Sequence, residues 1–161
     1  MTTWYNYINV NYVVGDFLIK RATDSDNKIL AKLAIQMWDS ASLSELETDF
    51  AKIAGSKTAV CFICFLEDIP IGFAQCSLRN GYVEGTNSSP VGYLEGIFIE
   101  EKYRTKGYAK ELLLVCEKWA RDMGCSEFAS DCELTNENSF NFHLSMGFDE
   151  ANRIICFRKS I

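Results

Sequence analysis

The sequence predicts one α/β (α+β) domain in which helices flank a mixed central sheet. Three observations support this fold class. The chain has 161 residues, 48% hydrophobic and 24% charged, which suits one globular domain with a single core. Two amphipathic helical patterns and an antiparallel hairpin open the chain. Strands and helices then alternate to its end, an order that is typical of a mixed sheet covered by helices.

The first half of the chain contains a short strand, two helices and a hairpin. Apolar residues recur every four positions in the first helix, with Asp24 and Ser25 as its candidate caps. Ser42 and Glu45 form a capping box for the second helix, which Gly55 ends. Two β-branched and aromatic runs around an acidic turn predict the hairpin. The predicted elements are a strand at 17–21, helices at 29–38 and 43–53, and hairpin strands at 57–66 and 69–78.

The second half alternates strands with helices. A polar loop precedes an apolar strand, and a short basic loop joins that strand to an amphipathic helix that stops at Gly124. The predicted elements are a loop at 79–90, a strand at 91–99, a helix at 109–123, a strand at 127–131, a helix at 136–146 and a last strand at 154–158.

Residues 1–16 are predicted to be an extension of the domain that spans 17–161. The extension lacks the basic start, apolar centre and cleavage site of a secretory signal. Two interpretations stay open, a frayed tail and a strand-like arm that packs on a partner subunit. No apolar run reaches the length of a membrane span, so we expect no membrane partner.

Charge and cysteine content limit the function classes. The net charge of −6 disfavours a nucleic-acid partner and favours a cationic ligand. Seven cysteines, an odd number, indicate reduced thiols and a cytoplasmic protein. Cys61 and Cys64 are three apart in a predicted strand, so their side chains should point to opposite faces. We therefore predict no metal site.

The basic loop Arg104-x-x-Gly107-x-Ala109 lies between a strand and a helix. Such a loop presents unpaired backbone N–H groups at the positive end of the helix dipole, where a phosphate or pyrophosphate binds. It lacks the Gly-Lys-Ser/Thr of a P-loop and the three glycines of a dinucleotide-binding turn. A phosphorylated cofactor other than ATP or NAD is therefore predicted.

This loop resembles the pyrophosphate loop of the GNAT superfamily of N-acetyltransferases. The runs 94–97, reading Leu-Glu-Gly-Ile, and 128–131, reading Phe-Ala-Ser-Asp, resemble the aminoglycoside 6'-N-acetyltransferase subgroup, from about residue 17 to the C-terminus. The resemblance implies acetyl-CoA as co-substrate and no metal. The implied coenzyme contacts are Ile97, Phe98, Ile99, Arg104, Thr105, Lys106, Gly107, Tyr108, Ala109, Lys110 and Asn136, the last also a candidate helix N-cap.

The acceptor side of the site is predicted from carboxylates and aromatic residues. Glu95 lies in an apolar strand in which 91, 93, 95, 97 and 99 are expected to share one face, and a carboxylate is expensive to bury there. The resemblance implies that Glu95 and Asp131 bind the amine-bearing substrate. Because the amine must lose a proton before it attacks, Glu95 is also the predicted base, directly or through water. The alternative for Glu95 is a structural ion pair with a nearby Lys or Arg. The resemblance also implies substrate contacts from Trp38, Tyr82, Ala41 and Asn152. At the last two positions a polar or acidic side chain is usual, so the fine substrate preference stays open. His143 is a candidate general acid.

The resulting prediction is acetyl transfer from acetyl-CoA to the 6'-amino group of an aminoglycoside, conferring antibiotic resistance, in a homodimer. One alternative is the same chemistry on another amine, such as a polyamine, an amino acid or a protein N-terminus. The other is a catalytically silent coenzyme A-binding module.

Overall fold

A computed structural model describes residues 11–14 and 16–161 of the chain. Six described strands form one sheet in chain order, with antiparallel neighbours except that β6 runs parallel to β5. The mixed sheet flanked by helices confirms the predicted fold class. The strands are β1 (Asn11–Val14), β2 (Phe17–Arg21), β3 (Ala59–Leu66), β4 (Ile69–Arg79), β5 (Val91–Ile99) and β6 (Phe128–Ser130), and the helices are α1 (Asn27–Ala34), α2 (Leu43–Ala54), α3 (Tyr108–Asp122) and α4 (Glu137–Ser145).

The sheet separates two apolar clusters. One cluster packs α3 against the sheet around Leu112 and Cys116, and the other packs α1 and α2 around Leu30 and Phe50 on the opposite face. Cys64 belongs to the first cluster and Cys61 to the second, so their side chains point to opposite faces as predicted. None of the helices in the described part of the chain is long and apolar enough to span a membrane.

A β-bulge interrupts the pairing of β4 with β5. Gln75 pairs with Gly96 and Cys76 with Leu94, so Glu95 is the extra residue on β5. The expectation that 91, 93, 95, 97 and 99 share one face is therefore wrong. Val91 and Tyr93 pack with Val83 in a third, smaller cluster, on the face opposite to Leu94 and α3. The residues at 97 and 99 instead pack with the α3 cluster, because the bulge reverses the alternation of side chains.

Strands β5 and β6 diverge beyond Leu94. Their parallel pairing covers only residues 92–94 of β5, so the rest of that edge has no strand partner in the described structure. Arg104 Nε donates to the Ile99 carbonyl oxygen at 2.8 Å, and the next residue, Glu100, donates its N–H to Ile71 in β4. By alternation along the strand, the backbone groups of Ile97 and Ile99 face the open side.

Three segments differ most from their predictions, whereas the other elements match to within one or two residues. Helix α1 ends at Ala34, and a single further turn, with Trp38 N–H donating to Ala34 O at 2.8 Å, continues to Trp38. The predicted strand at 154–158 is wrong: residues 149–161 form no strand, because no sheet edge pairs with them in the described structure. Within the predicted extension, 11–14 form β1 on the edge of β2, and 1–10 and 15 lie outside the described residues.

Candidate active site

Glu95 lies in a polar cluster beside the bulge. Its Oε1 accepts a hydrogen bond from Ser77 Oγ at 2.5 Å and another from Arg79 Nε at 3.3 Å. Its Oε2 accepts from Arg79 Nη2 at 2.9 Å. The pair is bidentate, and the Glu95 side chain is only 26% exposed. A half-buried carboxylate is therefore held in one orientation by two residues of β4.

Arg79 links Glu95 to Tyr93 and Asp131. The Arg79 guanidinium carbon lies 3.2 Å from the centroid of the Tyr93 ring, a cation–π contact. Burial raises the pKa of Tyr93 to about 12, and the nearby Asp131 carboxylate contributes to the rise. The pKa of Arg79 is also raised, because its bond to Glu95 and the charges of Glu95 and Asp131 outweigh the opposing effect of burial. The structure thus brings the two predicted acceptor carboxylates near one cation: Glu95 pairs with Arg79 directly, and the charge of Asp131 acts on both Arg79 and Tyr93.

Trp38 forms an aromatic wall next to this cluster. Its ring packs against Phe73 and Phe50, with centroid distances of 5.9 and 6.5 Å. A Cβ atom built on Gly96 would lie 2.8 Å from Trp38 Cζ2, so the indole sits directly on the strand beside Glu95. Ala41 follows in the next turn, and its N–H donates to Trp38 O at 3.2 Å. A glycine after the bulge is therefore what lets Trp38 approach β5.

The loop between β4 and β5 carries a second polar group. Tyr82 is 84% exposed, and its hydroxyl donates to Glu84 Oε2 at 2.6 Å. Asn152 Nδ2 donates to Glu84 Oε1 at 3.1 Å. Val83, which lies between Tyr82 and Glu84 in the sequence, packs in the same cluster as Tyr93. This contact places the loop beside the Glu95 site. Two predicted residues, Tyr82 and Asn152, thus meet at a carboxylate that the sequence analysis missed.

Sequence reasoning also missed Ser77 and Arg79. The sequence indicates that the two side chains lie on the same face of β4. Their contact with Glu95, however, depends on the register that sets Ser77 opposite Tyr93. That register follows from the bulge at Glu95, and no residue pattern in β5 predicts a bulge there.

The predicted cofactor loop is exposed and open. Thr105 and Gly107 have positive φ angles of 63° and 90°, and no atom lies within 4 Å of a Cβ built on Gly107. Gly107 caps α3 without a side-chain hydrogen bond, and the first helical bond is Glu111 N–H to Gly107 O. The N–H groups of residues 108–110 therefore precede the first helical bond and are available to an anion.

A family comparison identifies the class of protein. The model described as the Acetyltransferase (GNAT) family matches residues 27–148. The chain belongs to the GNAT acetyltransferase family. It is an acyl-CoA-dependent N-acetyltransferase whose co-substrate is acetyl-CoA.

Curated relatives place the chain among the aminoglycoside 6'-N-acetyltransferases of the GNAT family. The aminoglycoside N(6')-acetyltransferase type 1 of Stenotrophomonas maltophilia is 36% identical over 140 residues, covering 87% of this chain and 91% of the relative. The enzyme of that name from Salmonella typhimurium is 38% identical over 128 residues, covering 77% and 86%.

Solved structures agree with this placement in the GNAT family. AAC(6')-Iy, in complex with the bisubstrate analogue CoA-S-monomethyl-acetylneamine, aligns with a TM-score of 0.87 at 33% identity, covering 90% of this chain and 99% of that one. The apo structure of AAC(6')-IG from Acinetobacter haemolyticus has a TM-score of 0.85 at 34% identity, covering 89% and 98%.

The α3 end of this GNAT domain fits a coenzyme pyrophosphate. The cradle at Gly107 is free of side chains, unpaired N–H groups point from the helix start, and Arg104 and Lys106 are exposed beside it. Arg104 uses its Nε to brace the Ile99 carbonyl, which leaves its terminal nitrogens for a phosphate.

The other predicted coenzyme residues have mixed environments. Tyr108 is buried against Phe17, with ring centroids 5.0 Å apart, so only its backbone N–H can serve a ligand. Phe98 is buried in the α1/α2 cluster. Asn136 caps α4 by accepting from Ser139 N–H at 3.0 Å, which leaves its Nδ2 as the group for a coenzyme contact.

His143 is held in one tautomer. Its Nδ1 lies 2.7 Å from the Ser139 carbonyl oxygen, and a carbonyl accepts only, so Nδ1 carries the proton. Nε2 is enclosed without a hydrogen-bond partner among the described residues. A neutral His143 must therefore first be protonated at Nε2 before it can donate a proton there.

No group of three metal-ligating side chains occurs in the described part of the chain. All seven cysteines are free thiols, and the five in the core are buried. Burial raises the pKa of Cys64 to about 12, so this thiol stays protonated at neutral pH.

Proposed function

We propose that this enzyme transfers the acetyl group of acetyl-CoA to the 6'-amino group of aminoglycoside antibiotics and so confers resistance. The observation that supports it most is the cluster in which Arg79 pairs with Glu95 and stacks on Tyr93 beside Trp38, with the charge of Asp131 close enough to act on Arg79. Two carboxylates with aromatic walls suit a polycationic ring compound. The names of the relatives point to the same substrate class.

The reaction needs a base, a group that binds the cationic substrate, and a hydrogen-bond donor to the thioester carbonyl oxygen. An acceptor amine arrives as ammonium and must lose a proton before its nitrogen attacks the thioester carbonyl. Glu95 is the base that we assign, directly or through water, and Asp131 holds the cationic substrate. The Ile97 N–H, on the open edge of β5, would donate to the carbonyl oxygen as negative charge develops there. The carbon–sulfur bond then breaks and the thiolate leaves.

The wider acceptor site extends along the exposed loop. We assign Tyr82, Asn152 and Ala41 to its wall with Trp38. The Tyr82 hydroxyl and the Asn152 amide already hold Glu84 as a carboxylate, and these hydrogen bonds keep the pKa of Glu84 below its ordinary value. We leave protonation of the leaving thiolate to solvent or to a protonated His143, since a thiol of pKa about 8.5 leaves without much help.

A thiol-release assay with acetyl-CoA and kanamycin, tobramycin or spermidine tests the proposal. We expect turnover with the aminoglycosides and a loss of kcat of about a hundredfold in Glu95→Gln, as for other general bases. The acidic limb of the pH–rate profile should flatten in that variant. Asp131→Asn should instead raise KM about tenfold or more, because it removes a charge-assisted hydrogen bond.

A matched control is Glu117→Gln, which removes a carboxylate from an ion pair on α3. It should keep wild-type kinetics. Turnover with spermidine alone would support the alternative of another amine. A lack of turnover with every amine would support a silent coenzyme A-binding module.

We also propose that the enzyme is a cytoplasmic homodimer without a nucleic-acid or membrane partner. The C-terminal segment leaves Ile154, Ile155 and Phe157 exposed, the last by 92%, an apolar surface that a second copy would cover. Light scattering should give a dimer mass for the wild type and a monomer mass for Phe157→Asp. A wild-type monomer would refute the dimer. The free thiols are consistent with a cytoplasmic location. The net charge of −6 is consistent with the absence of a nucleic-acid partner.

A further inference from the structure

Arg79 occupies the position in which a substrate ammonium is expected. Its guanidinium makes the two closest cation contacts of Glu95, at 2.9 and 3.3 Å, and stacks on Tyr93 at 3.2 Å. It also interacts with Asp131. A carboxylate and an aromatic face in direct contact with one cation, with the charge of a second carboxylate nearby, are the groups that would bind an amine.

We propose that Arg79 is a built-in competitor for the cation-binding position, displaced from Glu95 by the acceptor ammonium when substrate binds. This inference rests on the proposed function, since it assigns Glu95 and Asp131 to the acceptor.

The environment of Arg79 allows displacement. Its side chain is 42% exposed, so water can solvate the guanidinium once it leaves Glu95. Ser77 Oγ, on the same face of β4, keeps its own bond to Glu95 Oε1 and holds the carboxylate in place. The departure of Arg79 therefore frees Oε2 without freeing the Glu95 side chain.

Displacement defines the class of acceptor that binds well. A monoamine exchanges one cation for another at Glu95 and gains little. An acceptor with several amino groups on a rigid frame can replace Arg79 at Glu95 and bind Asp131 at the same time. Arg79 therefore favours polycations over simple amines.

The test compares aminoglycoside binding by Arg79→Gln and wild type. Calorimetry with kanamycin is done at saturating coenzyme A, which carries no acetyl group to transfer. Loss of the competing charge should lower the Kd roughly two- to fivefold, the range expected for a partly exposed ion pair. This gain in kanamycin affinity should shrink when the salt concentration rises from about 50 to about 500 mM, because screening weakens the attraction between the freed carboxylate and the substrate ammonium groups.

Two further variants separate this role from others. Arg79→Lys keeps the charge without the planar fork and should bind kanamycin closer to wild type than Arg79→Gln does. Arg121→Gln removes the same charge from the ion pair with Glu117 on α3, so it controls for net charge and should leave the Kd unchanged.

An unchanged or higher Kd in Arg79→Gln, with a wild type that binds and acetylates kanamycin, would overturn the inference while the proposed function stands. A higher Kd joined to a lower kcat would show instead that Arg79 positions Glu95. A wild type that does not bind kanamycin would overturn the proposed function, and this inference with it.

Discussion

Gly96→Ala tests whether Trp38 is seated against the bulged strand. The added Cβ would lie 2.8 Å from both Met37 Cε and Trp38 Cζ2, and 3.3 Å from Trp38 Cη2. The end of Met37 is flexible and can move away. The indole cannot do so easily, because Phe73, which is fully buried, and Phe50 pack against its ring.

The expected cost is that of overpacking a rigid site. Added methyl groups in packed positions lower the free energy of unfolding by about 1–3 kcal/mol. For a chain of this size each kcal/mol lowers Tm by roughly 2–4 °C, so a decrease of about 2–12 °C is expected. Displacement of the indole should also raise the KM for aminoglycoside more than that for acetyl-CoA.

Thermal unfolding followed by circular dichroism, together with steady-state kinetics, measures both effects. Gly55→Ala is the matched control, because Gly55 has a φ of −85° and its nearest contact would be Lys52 O at 3.9 Å. That change should be neutral or slightly stabilising. A Gly96→Ala protein with wild-type Tm and KM would refute the packing of Trp38 on β5.

Two further predictions concern the coenzyme loop and the start of α1. Gly107→Asp and Gly107→Asn both place a side chain at a φ of 90°, so they should lower Tm alike. Only Asp repels the pyrophosphate, so calorimetry should show coenzyme A binding at least about tenfold weaker in Gly107→Asp than in Gly107→Asn. Equal affinities would contradict the loop assignment. Asp26 is buried, which alone would raise its pKa, but hydrogen bonds from Thr23 and Lys20 hold the pKa below its ordinary value. Its ionised form therefore stabilises the fold above the unfolded pKa of about 3.9. Urea unfolding should show Asp26→Asn to be less stable by about 1–3 kcal/mol at pH 7, with the gap closing as pH falls below about 4, and a gap that persists at low pH would contradict this.

Local patterns in the sequence were sufficient to predict most of the fold. Ser42 caps helix α2 with the predicted capping box, in which Ser42 Oγ accepts from Glu45 N–H at 3.2 Å and Glu45 Oε2 accepts from Ser42 N–H at 2.9 Å. The hairpin of β3 and β4 has its turn at Glu67 and Asp68, as predicted. Both features depend on residues within a few positions of each other, so the sequence contains all the information that they need.

The predicted strand at 154–158 shows the limit of such patterns. Its apolar and aromatic residues have high β propensity, yet a strand also requires an adjacent edge with matching hydrogen bonds. Such partners are distant in sequence. β propensity alone was therefore not sufficient to predict whether residues 154–158 form a strand.

The sequence by itself determined the class of site: the strand–loop–helix order at Gly107 predicts an anion-binding helix start, and Glu95 stands out as a carboxylate in an apolar strand. Only the tertiary structure decided how the carboxylates are used. The bulge at Glu95 turns its side chain toward Ser77 and Arg79, and the register of β4 with β5 stacks Arg79 on Tyr93. These contacts join residues that are 14 to 18 positions apart in the sequence, and a one-residue change in register would place the side chains on the other face.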